Sequence, residues 1–388
     1  MSEFGTQVHG QCDARFTAVR EAFEENFRKR GELGAAVTVI IGGRTVVDLW
    51  GGWADAARSR PWERDTLVNV WSTSKGPVAL CAHILADRGL LDLDAPVARY
   101  WPEFAAAGKE KVLVRHLLSH RAGLAGLREP HSLEQLCDWE LTTQRLAATE
   151  PWWEPGTRSG YHALTYGHLV GEVVRRVSGR KPGAFLEREV TGPLGLDFRI
   201  GLPEEDAGRA AELVQAPTTG SSEHASVFAQ LVPAAVAALT NPPVSAAEAN
   251  TPQWRAAEIP AANGHGTARA VAGLYGVFAG LGTHGGHRLL SPEAAERVRE
   301  GQGSCRDLVL GAGFEHETEV GLGVWLSGPA GSYGPNPRAF GHDGFGGSCG
   351  LADPEADASL GYVMNRMGPR IADDPRKTAL VEALYGAL

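Results

Sequence analysis

The sequence predicts an α/β (α+β) fold: one antiparallel sheet flanked by helices, interrupted by an inserted helical domain. Three observations point there. The N-terminal stretch carries one helical apolar period and then two β-type runs. The C-terminal stretch carries several short β-type runs and a closing helix. Between them, from Thr66 onward, apolar residues recur mainly at helical spacing. Strands at both ends of a chain need each other as pairing partners, so the helical middle reads as an insertion.

The elements follow in order. From Cys12 to Arg30, Phe16, Val19, Phe23 and Phe27 lie on one helical face, and Gly31 and Gly34 end the run. Residues 35–41 and 45–50 are β-type and joined by Gly42-Gly43-Arg44, a hairpin signal. Helices are expected behind Ser72 and over residues 114–118, 133–148 and 163–177. Residues 203–262 are loop-like, rich in Ala, Pro, Ser and Glu. Strands return at 323–326, around Phe340, and at 347–351 and 360–365, with Asp353-Pro354-Glu355-Ala356-Asp357 turning between the last two. A final helix covers 376–384. The expected division is residues 1–65 with 315–388 as the sheet domain, and 66–314 as a mainly helical domain holding the variable region 203–262. A cleft between two such bodies is a usual small-molecule site.

Composition narrows the class. With 43% hydrophobic and 21% charged residues in 388, the chain can bury a large core. The net charge of −9 without a basic stripe argues against nucleic acid as a partner. No apolar run reaches membrane-spanning length, and Met1-Ser2-Glu3-Phe4-Gly5 lacks the features of a signal peptide. The five scattered cysteines argue against a disulfide framework and for a reducing cytoplasm. No Walker A loop, dinucleotide G-x-G-x-x-G or metal-ligand pattern is present, so neither a cofactor nor a metal is expected. No feature of the sequence specifies an oligomeric state.

The chemistry centres on Ser72-Thr73-Ser74-Lys75, an S-x-x-K motif followed by a helix-favouring apolar run. Residues three apart share a helix face, so a serine hydroxyl can lie beside a lysine amine at the helix entry. Lysine, unlike arginine, loses its proton when desolvated, and this activates a poor nucleophile. Pro77, tolerated only near a first turn, places the helix start close to Ser72. A second copy, Ser178-Gly179-Arg180-Lys181, reads as a helix end stopped by Gly179 and Pro182.

With that layout the chain resembles the serine β-lactamase and penicillin-binding-protein superfamily, and most of all its family VIII carboxylesterase branch. The segments carrying the resemblance are Val70-Trp71-Ser72-Thr73-Ser74-Lys75-Gly76, Leu91-Asp92-Leu93-Asp94-Ala95-Pro96-Val97 and His116-Leu117-Leu118-Ser119-His120-Arg121-Ala122-Gly123-Leu124. Further on are Pro155-Gly156-Thr157-Arg158-Ser159-Gly160-Tyr161-His162-Ala163 and Gly341-His342-Asp343-Gly344. The resemblance implies a β-lactamase/transpeptidase-like fold and a Ser72 acyl-enzyme. Lys75 and Tyr161 would share the roles of base and proton relay; either can take the Ser72 proton, Tyr161 if it exists partly as phenolate beside the amine, and the sequence leaves open which is the base. The backbone amides of Ser72 and Phe345 would form the oxyanion hole. Tyr161 opens a Tyr-x-Asn element in which Ala163 replaces the asparagine, and His342-Asp343-Gly344 stands for Lys-Thr-Gly. His342 is expected to hydrogen-bond an ester or its leaving oxygen. With Gly344 it would bind substrate, while Trp152 and Trp153 read either as core packing or as an apolar wall for an acyl or alcohol group of the substrate. The implied reaction is hydrolysis of a small-molecule carboxylic ester. The same intermediate also serves an acyltransferase. A β-lactamase or D-alanyl peptidase and a non-catalytic binding protein are the remaining rivals.

Several features read otherwise. Gly346-Gly347-Ser348-Cys349-Gly350 matches the G-x-S-x-G nucleophile elbow, but a strand rather than a helix is expected after it, and no histidine follows His342. His116 with His120, and His284 with His287, lack a third ligand and are taken as structural or solvent-facing. Trp71 and Trp325 are expected to pack in the core. Asn263-Gly264-His265-Gly266-Thr267 is a glycine-rich turn before a helix, with His265 not catalytic.

Overall fold

The computed structural model describes residues 7–215, 232–311, 319–328 and 332–388. The Met1–Gly5 start, the 314/315 boundary and residues 216–231 of the variable region lie outside the described residues.

The strands are β1 (Val8–Cys12), β2 (Gly34–Ile41), β3 (Arg44–Gly52), β4 (Val68–Asn69), β5 (Phe198–Ile200), β6 (Gly264–Gly266), β7 (Thr283–His284), β8 (His287–Arg288), β9 (Trp325–Leu326), β10 (Phe340–Asp343), β11 (Cys349–Asp353) and β12 (Ala358–Met364). Seven of them form one antiparallel sheet in the order β1-β3-β2-β12-β11-β10-β9. The two chain ends meet at β2 and β12, where Val39 pairs with Leu360 and Val37 with Tyr362. Both strands are apolar nearly throughout, so both sheet faces need cover. One face, with Val37, Val39 and Leu49, packs on Phe23 of the helix Thr17–Lys29 and on Leu380 and Leu384 of the helix Pro375–Tyr385. The other carries Val363 and Ala352 against Val271 and Phe278 of the helix Ala268–Ala279. That helix lies within the 66–314 segment, yet its main partners are strands β12, β11 and β2. It is buried on nearly every side because the helix that follows Ser72, Lys75–Asp87, packs on it as well.

Two local differences from expectation have simple causes. β1 was not predicted, because Val8-His9-Gly10-Gln11-Cys12 has no apolar alternation; it is a largely exposed edge strand on β3. Cys12 therefore belongs to a strand, and the first α-helix starts at Thr17. The turn at Asp353 forms as expected, its Oδ1 accepting the N–H groups of Glu355 (2.9 Å) and Ala356 (3.1 Å).

In the middle of the chain a small sheet β4-β6-β5 leads into the nucleophile turn, and β7 and β8 form a separate hairpin. The helix Lys75–Asp87 is buried from Lys75 through Leu85 and packs on the helix Thr165–Ser178. Ser178 ends that helix, Gly179 follows at φ +74°, and Pro182 opens the next, so the second S-x-x-K copy is a helix end.

Candidate active site

The chain leaves β4, makes a 3₁₀ turn over Trp71–Ser74 and enters the helix at Lys75. Trp71 has φ +49°, a left-handed conformation costing a side-chain-bearing residue about 1–2 kcal/mol. Its surroundings hold it there. The Ser74 hydroxyl donates to the Trp71 carbonyl (2.5 Å) and accepts the Gly264 N–H (3.0 Å). The indole packs on Trp254 (5.6 Å between centroids) and Phe345 (5.8 Å).

Lys75 Nζ lies 3.0 Å from Ser72 Oγ, 2.9 Å from the Ala163 carbonyl and 3.0 Å from the Ala261 carbonyl. The amine is fully buried, and among the described residues no carboxylate forms an ion pair with it. Burial pushes its pKa well below the ordinary lysine value. Lys377 makes the contrast. It is almost as buried (1% exposed), and burial is again the largest single influence and disfavours its charge, but Asp343 (Oδ2 at 3.0 Å), Cys349 and Asp373 together outweigh burial and hold its pKa above the usual value. The anionic neighbours account for the opposite directions at the two lysines. At Lys75 the two carbonyls accept two N–H bonds, so a neutral amine can aim its lone pair at Ser72 Oγ. Ala163 contributes its main-chain carbonyl, so this contact to Lys75 does not depend on the side chain at that position.

Tyr161 closes the other side, with Lys75 Nζ 4.8 Å from its ring centre. Its ring also packs on His120 (4.9 Å), Trp325 (5.6 Å) and His342 (6.2 Å). The phenol OH makes no protein hydrogen bond of ordinary geometry among the described residues, although Ser72 is near enough to act on it electrically. Burial raises its pKa; the nearby Ser72 hydroxyl offsets part of this, while Asp307 and Asp343 add to it. The partly ionised phenolate expected from the sequence is therefore disfavoured, and Tyr161 stays a protonated donor.

The histidines around Tyr161 are scaffolding. The His162 N–H donates to His120 Nδ1 (3.1 Å), His162 Nδ1–H donates to the Gly160 carbonyl (2.6 Å), and His162 Nε2 accepts the Leu124 N–H (3.0 Å). His116 points elsewhere, its Nδ1 accepting the Leu113 N–H at a helix start (3.3 Å). His265 Nδ1 donates to the Asn263 carbonyl (2.8 Å), and His284 faces His287 across the β7–β8 hairpin.

Along β10 side chains alternate. His342 turns toward Tyr161 and stacks on Trp325 at 4.7 Å, whereas Asp343 pairs with Lys377. No cation reaches the site from this strand. His342 Nδ1 lies 2.7 Å from the Asp343 carbonyl and must donate to it, which leaves Nε2 as an acceptor without a protein partner among the described residues. Burial is the main cause that lowers its pKa to about 3; a proton on Lys75 acts in the same direction, and the Asp343 carbonyl opposes it. The expectation that His342 donates to an ester or a leaving oxygen is thus corrected: its free nitrogen accepts. It can serve the O–H of water or of an alcohol.

The loop after His342 forms a tight turn in which the Gly347 N–H donates to the Gly344 carbonyl (3.0 Å). Gly346, at φ +89°, supplies the positive φ at its third position. In a trans peptide N–H and C=O point oppositely, so the Phe345 N–H points out of the turn, and among the described residues it has no acceptor. Gly344 must be glycine, since a Cβ there would lie 2.1 Å from Ser348 Oγ and 2.3 Å from the Val70 carbonyl. Ser348 itself is a tie. It is buried at the start of a strand, donates to the Val70 carbonyl (2.7 Å) and lies 3.1 Å from Thr73 Oγ1, locking this loop to the nucleophile turn.

Trp153 packs beneath the Tyr161 loop, edge-on to His162 at 5.9 Å, and donates to the Arg158 carbonyl (3.0 Å). Trp152 donates to the Gly126 carbonyl (2.8 Å) with Arg128 over its ring at 4.0 Å. Both are partly buried, and both indole N–H groups are engaged by the scaffold.

Sequence reasoning missed three supports. Asp307 accepts the Tyr161 N–H at 2.9 Å. Arg376 donates to the Gly346 carbonyl (2.7 Å) while paired with Asp374 (2.9 Å) and Glu32 (3.1 Å). Asn263 knots residues 254–263 through the carbonyls of Trp254 and Ala257, presenting the Ala261 carbonyl to Lys75.

The beta-lactamase family model matches residues 19–384. The chain is 37% identical over 372 residues to an "Esterase/beta-lactamase LipL" of Mycobacterium tuberculosis, covering 94% of this chain and 84% of that protein. Among solved structures it is similar to a family VIII carboxylesterase at 44% identity and TM-score 0.92, covering 98% of this chain and all of the other (100%). A penicillin-binding protein homologue from Caulobacter crescentus is 43% identical with TM-score 0.90, over 98% of this chain and 100% of that one.

Proposed function

The chain belongs to the β-lactamase family and is a serine hydrolase of the carboxylesterase type, and on that premise we propose that it cleaves small, uncharged carboxylic esters through an acyl-enzyme on Ser72. The observation that carries the proposal is the buried Lys75 amine 3.0 Å from Ser72 Oγ with, among the described residues, no carboxylate paired to it. In this reading neutral Lys75 takes the Ser72 proton as Oγ attacks the ester carbonyl. The tetrahedral oxyanion is held by the Ser72 and Phe345 amides. Tyr161 passes its proton to the departing alkoxide and takes the Ser72 proton back from Lys75, so the alcohol leaves with both groups reset. Water then attacks the acyl carbonyl, giving one proton to the neutral Lys75 while His342 Nε2 accepts a hydrogen bond from its other O–H; collapse expels Ser72 Oγ, which recovers that proton, and the acid is released. The five free cysteines support the cytoplasmic setting that forms part of this reading. Among the described residues, no helix is long and apolar enough to cross a membrane.

Substrate charge is the discriminating property. His342 is neutral far above its pKa of about 3, and the nearby Lys377 charge is engaged by Asp343 on the other side of β10. A carboxylate-bearing substrate such as a cephalosporin finds no free cation from this strand. A panel of p-nitrophenyl esters of varied acyl length should be hydrolysed, with nitrocefin a poor substrate by kcat/KM. His342→Lys should raise the nitrocefin-to-ester ratio of kcat/KM even if total activity falls. A wild type that already prefers nitrocefin, or a ratio that does not rise in the variant, overturns the selectivity argument. Product analysis with added alcohols separates hydrolysis from acyl transfer.

A further inference from the structure

We propose that Asp307 is a positioning residue for ester cleavage, fixing the main chain of Tyr161 so that the phenol stays beside Lys75 and Ser72. The inference rests on Tyr161 acting as the proton relay.

Asp307 is 7% exposed, and among the described residues it has no ion-pair partner. A buried carboxylate without a cation costs several kcal/mol unless hydrogen bonds replace its water. Main-chain N–H groups supply these. Oδ1 accepts from Val309 (2.8 Å), Leu310 (2.9 Å) and Tyr161 (2.9 Å), and Oδ2 lies 3.4 Å from Ser159 Oγ. The first two bonds cap the local turn, which asparagine does as well and serine does more weakly. The Tyr161 bond does something else: it ties the catalytic loop to a segment 146 residues away. Leu308 N–H donating to the Ser159 carbonyl (3.0 Å) adds a second stitch. The histidines hold the loop from the other side, through Gly160 and His162. Tyr161 is therefore clamped at its own amide by Asp307 and at its neighbours by His120 and His162. The Asp307 charge also opposes ionisation of the phenol, alongside burial and Asp343. Among the described residues, Lys75, His120, His342, the Trp325 indole and the Ser72 hydroxyl also lie against or near the phenol.

Asp307→Ser keeps a turn-capping hydroxyl but is one atom too short to reach Tyr161. It is read against wild type, Tyr161→Phe and the double variant, on a p-nitrophenyl ester and on the matching ethyl ester. The ethoxide leaving group needs a proton, whereas p-nitrophenolate does not. Asp307→Ser is expected to lower kcat roughly 10- to 100-fold on the ethyl ester, the scale of a small misplacement of a catalytic group. KM should stay within about threefold, with a clearly smaller loss on the p-nitrophenyl ester. In the Tyr161→Phe background the same change should cost less than about threefold, because residues acting through one group are not additive. Asp307→Asn retains the acceptor and should keep the wild-type ratio between the two esters, which leaves the idea testable if the serine variant does not fold. Equal losses on both esters or in both backgrounds would mean general damage and overturn the role. So would an asparagine variant with an altered ester ratio. Full activity in Tyr161→Phe removes the relay itself, whereas a crippled Tyr161→Phe beside an unimpaired Asp307→Ser removes only the role given to Asp307.

Discussion

Ser72→Ala should lose ester turnover by at least about four orders of magnitude in kcat, because no other group offers a covalent path and triad-type sites fall by that order or more on loss of the nucleophile. The fold should survive. Ser72 Oγ is one of three hydrogen-bond partners of Lys75 Nζ, and the Ala163 and Ala261 carbonyls remain. Thermal unfolding should thus change little. The loss is then chemical rather than structural. Intact-protein mass spectrometry with a fluorophosphonate or a slow ester should show an adduct on wild type and none on the variant. An adduct mapped to Ser348 would reverse the assignment. That outcome conflicts with Ser348 being buried and already bonded to the Val70 carbonyl at 2.7 Å.

Ser72 and Lys75 were legible in the sequence because their relation is local. Three residues of helix put the two side chains on one face, and the apolar run behind them signalled burial. The meeting of the chain ends at β2 and β12 was legible for a similar reason, since apolar strands at both termini demand partners. Legibility ends where the site uses main chain. The Ala163 and Ala261 carbonyls that hold Lys75 have no side-chain signature, and neither does the Phe345 amide. The direction of the His342 hydrogen bond was equally hidden, because it depends on which ring nitrogen meets the Asp343 carbonyl. The edge strand β1 escaped because its residues are largely exposed and carry no alternation.

The supports behind the first shell escaped for another reason: each joins segments far apart in the chain. Arg376 and Lys377 are neighbours on the C-terminal helix, and nothing in the local sequence singles them out. In the fold they are buried among Glu32, Asp374, Asp343 and Asp373, and they brace the two ends of the loop that carries Phe345. Charge and burial together identify them, and burial is a property of the assembled sheet rather than of the local sequence.

Lys75→Met should cost roughly 10²–10⁴-fold in kcat, the usual worth of a general base, and Lys75→Arg should not rescue it, since a guanidinium keeps its proton. The wild-type pH profile carries the finer test. An amine that must be neutral gives a rate that falls as pH drops through its pKa. With that pKa well below the ordinary lysine value, the acid limb should lie far below pH 10 and disappear in the methionine variant. Stability should move with the same proton. Between the lowered folded pKa and the unfolded value of about 10.4, the unfolded chain binds more protons at this site than the folded one. Wild-type stability therefore rises with pH across that window and is lost as pH falls through the folded pKa. The methionine variant lacks this dependence, so its melting temperature relative to wild type should be highest at low pH and decline as pH rises. The absolute difference also includes the two carbonyls left without a donor, each worth about 1–3 kcal/mol if unsatisfied, so the slope with pH is the quantity to measure. A flat difference across that window, or an acid limb unchanged in Lys75→Met, would show that Lys75 is not the group whose neutrality drives the reaction.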